Sequence, residues 1–221
     1  MFPRPPELLG TEARIKQIRK EIDEDPLKAR DAYATAIEPL LTRLRKELQE
    51  VIRVRNEAQQ GMDKARELFR KLVDTNSQAV AAGIESQAKV AAGDLSLLRS
   101  AVEQATLDAL SKWLDTLAAK IAEGQPKPVL IGLDRWNAQA TQAMRTAELA
   151  LAANQAPVAE RRELRGRLQA LKAKAQAIGL SERPELSDLA SRAARLLYDT
   201  PTALAEARDL VRQFERSLHG R

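Results

Sequence analysis

The sequence predicts an all-α protein: an elongated antiparallel helical bundle with coiled-coil character, followed by a small C-terminal module of three helices. Three observations support this prediction. Apolar residues make up 44% of the 221 residues but aromatic residues only 3%, and the Ala and Leu that dominate favour thin helix–helix interfaces. Apolar residues recur at alternating steps of three and four. Pro and Gly gather at the few points that separate these periodic stretches.

One apolar row dominates the chain and predicts an interaction seam. It runs from Ile37 to Leu72, and Arg55 is the one residue in it that is not apolar. The spacing is typical of a coiled coil or a long bundle helix over about five heptads. Arg55 has two interpretations: it fixes register or oligomeric state, or it snorkels from the edge of a shallow interface. The seam residues are Ile37, Leu41, Leu44, Leu48, Val51, Arg55, Met62, Phe69 and Leu72, with Ala58 and Ala65 between them.

The segment before the row predicts a leader and two helix starts. Residues 1–10 contain three prolines and one glycine, which predicts a flexible Pro-rich leader. Thr11 is expected to cap a short helix over 12–23. Asp25 and Pro26 are expected to open the long helix as cap and first helical residue. At Pro39 the helix either kinks near residues 35–39 or starts again, and we favour the kink. The helix is then expected to continue to about residue 90.

The middle of the chain predicts helical partners for this row. Gly93 and Asp94 are expected to end the long helix and cap a second helix over 95–123, whose apolar positions include Leu107–Ile121. Residues 124–128 are rich in Gly and Pro, 129–131 predict a buried connector, and a third helix over 133–154 is expected to end before Pro157. We expect the row to pack against 95–154 within a bundle spanning 11–156, with a homodimer left open. Gly61 is interpreted as a tolerated solvent-facing glycine, with a close helix crossing or a flexible point as the alternative.

The last part of the chain, 157–221, predicts a three-helix module. A helix over 159–178 is expected to end at Gly179. Ser181 is expected to cap a helix that begins with Pro184, and Thr200-Pro201 is expected to open the last helix. The helices are short and closely connected, which is typical of a small helical domain.

Composition excludes most catalytic chemistry. The chain has no cysteine and one histidine, His219, so thiolate nucleophiles, disulfides and a Ser–His–Asp triad are not expected. There is no Glu-x-x-His pair, Walker loop or dinucleotide-binding glycine motif. We therefore expect no enzymatic activity, no catalytic, cofactor-binding or metal-binding residues, and no small-molecule substrate. No apolar run approaches the roughly 18 residues that span a bilayer, and no signal peptide is evident, so a cytoplasmic protein is expected.

One basic cluster offers an alternative function. The net charge of +5 arises from 36 basic and 31 acidic residues that are well mixed. The densest group of bases could contact an acidic membrane surface or a nucleic acid. Glu160 and Glu163 offset it and no aromatic residue is interleaved, so we favour an ordinary solvated helix face. This basic cluster consists of Arg161, Arg162, Arg165, Arg167, Lys172 and Lys174.

The C-terminal third also carries a family resemblance. The pattern Arg-Glu-Leu-Arg-Gly-Arg-Leu over 162–168, followed by Thr-Pro-Thr-x-Leu over 200–204, resembles a C-terminal segment of poorly characterised helical proteins of actinobacteria. Leu171 stands where that pattern has an aromatic residue. Some of these proteins are associated with serine/threonine kinase signalling, so the resemblance implies accessory or scaffolding work and supplies no catalytic residues. The sequence as a whole predicts a helical interaction or scaffold protein that self-associates or docks a partner.

Overall fold

The computed structural model of the protein describes residues 6–219, and the described part of the chain is almost entirely α-helical. The predicted all-α helical bundle is confirmed. Within residues 6–219, extended pairing is limited to a single parallel bridge between Val90 and Thr202. The helices are α1 Pro6–Glu24, α2 Pro26–Ala32, α3 Glu38–Lys89, α4 Gln104–Ala122, α5 Pro126–Ala177, α6 Pro184–Tyr198 and α7 Leu204–His219, with a π-helical turn at Tyr33–Ile37 and a 3₁₀ turn at Ala92–Asp94.

The first two helix starts differ in how well they were predicted. α1 begins at Pro6, so Thr11 lies inside this helix and does not cap it, and the predicted leader is wrong for residues 6–10. Pro at the first helical position loses no intrahelical hydrogen bond, which is why α1 can start there. Residues 1–5 of the predicted leader lie outside the described residues. The cap at Asp25 is confirmed, since its Oδ1 accepts a hydrogen bond from the Leu27 backbone N–H at 3.2 Å.

The interruption at Pro39 takes the form of a π-helical turn followed by a new α-helix. The turn occupies Tyr33–Ile37, and α3 begins at Glu38. Pro39 lies just after this turn, and π-helical bulges and prolines are both features at which a helix bends. α3 then runs for 52 residues and ends at Lys89, close to the predicted end.

The helix predicted over 95–123 is wrong in its first part, because α4 begins only at Gln104. Two asparagine side chains bind the backbone of the segment before α4, which is not helical over residues 95–103. Asn76 accepts from the Val102 N–H at 2.7 Å and donates to the Val102 carbonyl at 3.1 Å. Asn154 makes the same pair of bonds to Arg99, at 2.9 and 3.0 Å. Each amide replaces the hydrogen bonds that a helix would have given to this backbone.

α5 is one continuous helix of 52 residues, which corrects two predictions. The connector at 129–131 belongs to its second turn, because α4 ends in a tight turn at Gly124 (φ 77°) and α5 starts directly after it, at Pro126. The break at Pro157 does not occur. Pro157 is buried, and the Ser86 hydroxyl donates to the Asn154 carbonyl at 2.6 Å in the turn that precedes the proline. These tertiary contacts hold the helix together through a residue that disfavours it.

The C-terminal helices share one apolar core. Gly179 ends α5 as predicted, with φ +70° and the Leu180 N–H bonded to the Ala175 carbonyl at 2.9 Å, a Schellman ending. The predicted cap at Ser181 is wrong, since Arg183 occupies that position. Thr200-Pro201 also does not open the last helix, which starts at Leu204. The core residues are Val90, Leu164, Leu168, Leu171, Ala175, Leu186, Ala190, Ala193, Leu197, Leu204, Ala207, Leu210, Val211, Phe214 and Leu218.

The chain forms two compact units. One unit holds the chain as far as Ala65 together with Trp113–Arg135, and the other holds Arg66–Lys112 with the chain from Trp136 onward. Both α3 and α5 therefore contribute to each unit. The domain boundary predicted at 156/157 lies inside α5 and does not coincide with this division.

Candidate functional site

The second half of the predicted row is buried by the chain itself. From residue 58 onward the row residues Ala58, Met62, Ala65 and Leu72 are at most 1% exposed. The same spacing continues beyond the predicted end and reaches Val90. Among its later members, the buried residues are Asn76, Ala79, Ser86 and Val90. This part of α3 is therefore a bundle helix whose apolar face already has partners.

Two aromatic rings mark this covered part. Phe69 is half-buried and meets Trp136 edge to face, with ring centroids 6.5 Å apart. Trp136 is fully buried and its indole N–H donates to the Leu110 carbonyl at 2.9 Å. The indole therefore keeps its polar atom satisfied inside an apolar contact.

The first half of the row is uncovered. Leu48 is 60% and Val51 58% exposed, and Leu41 and Leu44 are half-buried. Only Ile37, at the start of the row, is buried there. We call Leu41, Leu44, Leu48 and Val51 the α3 stripe. These four residues lie on one face of the helix because they are spaced by three and four.

Arg55 does not occupy the interior. Its side chain is exposed, and the neighbouring Val54 is buried in its place. A straight α-helix rotates by about 20° per heptad relative to a strict seven-residue repeat, so an interior face drifts from one residue to the next along a long helix. Arg55 therefore lies outside the buried face of α3 within the chain.

The apolar row of α3 changes from exposed to buried beside the turn between α4 and α5. A groove of about 370 Å³ is lined by Glu50, Val51, Val54 and the residues of 124–128. Beyond this groove, α3 packs closely on α5: a Cβ at Gly61 would lie 2.7 Å from Leu133 Cδ1. Gly61 therefore marks a close helix crossing, and the favoured interpretation as a solvent-facing glycine is wrong.

Paired charges flank the α3 stripe. Arg53 bridges two carboxylates on its own helix, Glu50 at 2.6 Å and Glu57, and Arg43 pairs with Glu47 at 2.9 Å. The hydrogen bond from Arg53 lowers the pKa of Glu50 below its usual value. Residues 38–57 contain five basic and four acidic side chains, so the flanks of the stripe carry almost no net charge.

Most of the basic cluster is engaged within the chain. Arg161 is buried and its guanidinium donates to Thr202 Oγ1 at 2.6 Å and to the Asp199 carbonyl at 3.0 Å. Desolvation lowers its pKa. Arg165 donates to the Leu197 carbonyl at 2.8 Å and stacks on the Tyr198 ring at 4.4 Å. These two arginines fasten α5 to the end of α6.

The remaining bases divide between internal contacts and solvent. Arg167 forms an ion pair with Glu215 of α7. Lys174 Nζ lies 2.8 Å from His219 Nε2, an arrangement in which the ammonium donates and the neutral imidazole accepts. Arg162 and Lys172 are exposed. Four of the six predicted residues thus serve the C-terminal packing, and the cluster is not a uniform basic face.

Sequence reasoning missed the buried polar residues that organise the second unit. Asn76 and Asn154 bind the backbone of the segment over 95–103, and Asp94 accepts from the Leu204 N–H at 2.7 Å and the Ala205 N–H at 3.3 Å. Asp94 is half-buried, and the prediction that it caps the helix that follows it in the chain is wrong, because it caps α7. Asn76 could have been found, since it lies four residues after Leu72 and is a polar residue on an apolar row.

The described residues, 6–219, hold no group of three or more His, Cys, Asp or Glu side chains that could bind a metal ion. No helix in that range is both long and apolar enough to cross a membrane. The α3 stripe is an apolar surface that the helices of the described chain do not cover.

Comparison of the chain with protein-family models, with curated proteins and with solved structures finds no match in any of the three.

Proposed function

We propose that this protein is a non-enzymatic helical interaction or scaffold protein that docks another helix on the α3 stripe. The observation that supports this is the change along a single row. From residue 58 onward the row is buried by helices of the same chain, whereas Leu48 and Val51, on the same periodicity, are mostly exposed. A contiguous apolar face of this kind is typical of a protein–protein contact.

The exposed apolar side chains are concentrated in this region. The structure describes fifteen large apolar side chains as exposed, and seven of them lie within residues 13–54. Complete burial of a Leu, Ile or Val side chain is worth about 1.5–3 kcal/mol, and these residues are roughly half exposed. Covering all seven would contribute about 5–10 kcal/mol per copy, enough to offset a large part of the cost of association. The seven are Ile15, Ile22, Leu27, Tyr33, Leu48, Val51 and Ile52.

Two further parts of the proposal rest on the sequence. A cytoplasmic location fits a chain with no cysteine, which needs no oxidising compartment for its fold. An accessory role in bacterial kinase signalling is supported by the family resemblance of the C-terminal third alone. Electrostatic binding through the basic cluster has less support, because four of its six members bind other residues of the chain.

A photo-crosslinking amino acid placed at position 48 tests the proposed docking surface in the living host. Ile84 is the matched control position, because it is 63% exposed on the same helix and lies off the row. We expect protein adducts from position 48 and none, or far fewer, from position 84. Equal adducts from both positions, or none from position 48, would contradict docking on the stripe.

A further inference from the structure

We infer that the helix that covers the α3 stripe belongs to a second copy of this chain, so that the protein is a homodimer joined through residues 13–54. This inference rests on the proposed function and names the partner. Three features support it: the size of the uncovered surface, the charges that flank it, and its continuity with a row that already packs against helices.

The uncovered region matches the size of a stable dimer interface. In a two-stranded coiled coil, four of every seven positions face or flank the partner. Over residues 13–54 this gives about 24 positions in each copy, and stable interfaces use about 20–30 residues a side. The α3 stripe alone is too short for this, and the exposed Ile15 and Ile22 of α1 and Leu27 of α2 supply the remaining apolar contacts.

The charges beside the stripe favour a copy of the same chain. The flanks carry five basic and four acidic residues over 38–57, so two copies meet without a large repulsion. Arg43 and Arg53 already pair with glutamates on their own helix, and these pairs remain intact when the apolar face is covered. A strongly acidic or strongly basic partner would meet no complementary net charge on the flanks of the stripe.

The row itself shows the mode of packing. Its later part, from Ala58 to Leu72, is buried at the three-and-four spacing that is used by antiparallel bundles and by coiled-coil dimers alike. The stripe carries the same spacing with aliphatic side chains, Leu41, Leu44, Leu48 and Val51. A second stripe offers matching knobs and holes, so that a C2-symmetric contact is self-complementary.

Sedimentation velocity of the full chain over a wide concentration range tests the dimer. The wild type should shift from its 24.5-kDa mass to twice that value, and Ile84→Glu should behave in the same way. The double variant Leu48→Glu/Val51→Glu should dissociate at least about 100-fold more readily, because each copy would bury two unpaired carboxylates. Helix content by circular dichroism shows whether the double variant keeps its fold, as expected for two exposed positions.

The inference would be overturned by either of two results for the wild type and the double variant, and by one result for Ile84→Glu. One is a wild type that stays monomeric up to about 200 µM, a concentration at which a specific interface of this size should hold. The other is a dimer that persists in the double variant. A monomeric wild type that still forms adducts with a different protein from position 48 would refute the dimer and keep the docking surface. A dimer lost equally in Ile84→Glu would refute both.

Discussion

Replacing Asn154 with aspartate changes one buried atom and tests how the segment over 95–103 is held in place. Asn154 is 3% exposed. Its amide nitrogen donates to the carbonyls of Ala79 and Arg99, each at 3.0 Å, and its oxygen accepts from the Arg99 N–H at 2.9 Å. In Asn154→Asp the accepting oxygen remains, but the donor becomes a second carboxylate oxygen that faces two carbonyl oxygens.

The cost can be worked out from these contacts. Two donated hydrogen bonds are lost, at about 1 kcal/mol each. The introduced carboxylate is buried against two acceptors, which adds a penalty of about 1–3 kcal/mol. We expect Asn154→Asp to lower the free energy of unfolding by about 3–5 kcal/mol at pH 7.

The sign of the pH dependence follows from the same geometry. Burial beside two carbonyls raises the pKa of the introduced carboxyl in the folded state above its unfolded value of about 3.9. The folded variant then holds its proton more tightly than the unfolded chain. Its stability should fall as the pH rises from about 3.9 through the raised folded pKa, and acidification should recover part of the loss relative to wild type.

Urea unfolding followed by circular dichroism at pH 7 and pH 4.5 measures both effects. Asn137→Asp is the matched control, since Asn137 is an exposed residue of the same helix; it should change stability by no more than about 0.5 kcal/mol. A cost below about 1 kcal/mol for Asn154→Asp, with no difference in pH response from the control, would show that the amide does not hold the segment.

Further predictions concern glycines, a cap, Arg55 and one carboxylate. Gly61→Ala should be about 1–2 kcal/mol less stable than Gly166→Ala, because both gain helix propensity but only the first meets a neighbour within 4 Å; thermal unfolding of the pair decides it. Asp94→Ala should cost about 1 kcal/mol and speed amide exchange at the start of α7, and unchanged exchange would refute the cap. Arg55→Leu should change the free energy of unfolding by less than about 0.5 kcal/mol. An increase above about 1 kcal/mol would show that position 55 lies on the buried face of α3. Glu85, whose pKa the hydrogen bond from Lys89 lowers, should titrate by NMR below the ordinary range of a glutamate, and its small stabilising effect should fade as the pH drops through that lowered pKa.

Local physics made much of the fold predictable. The three-and-four spacing of α3 identified a long helix and most of its buried positions, such as Met62 and Leu72. Asp25 begins a helix because its side chain caps the first turn, and Gly179 ends one because glycine readily adopts a positive φ. These features depend on residues within one or two turns of each other, and a periodic pattern contains that information.

Three of the errors share a different physical origin, because each of them involves a partner far away in sequence. Asp94 caps a helix that begins 110 residues later. The segment over 95–103 has a helical pattern but is not helical, and the side chain of Asn154, which is 55 residues from Arg99, binds its backbone. Pro157 should end a helix by local rules, yet its surroundings keep α5 intact. The helix propensity of a short stretch of sequence does not predict contacts between residues that are far apart in the chain.

The α3 stripe shows this limit most clearly, because the sequence pattern is the same on both sides of Val54. Periodicity identifies an apolar face but does not say which helix covers it. The position of the α4–α5 turn supplies that information, and Gly124, with its positive φ, sets the turn beside Val51 and Val54. Leu41 lies ten residues earlier on α3 than Val51, or about 15 Å along the helix. For α4 and α5 to cover Leu41, the hairpin that they form would have to be longer by roughly that distance. Because this hairpin is short, it leaves exposed the face that we propose a second copy covers.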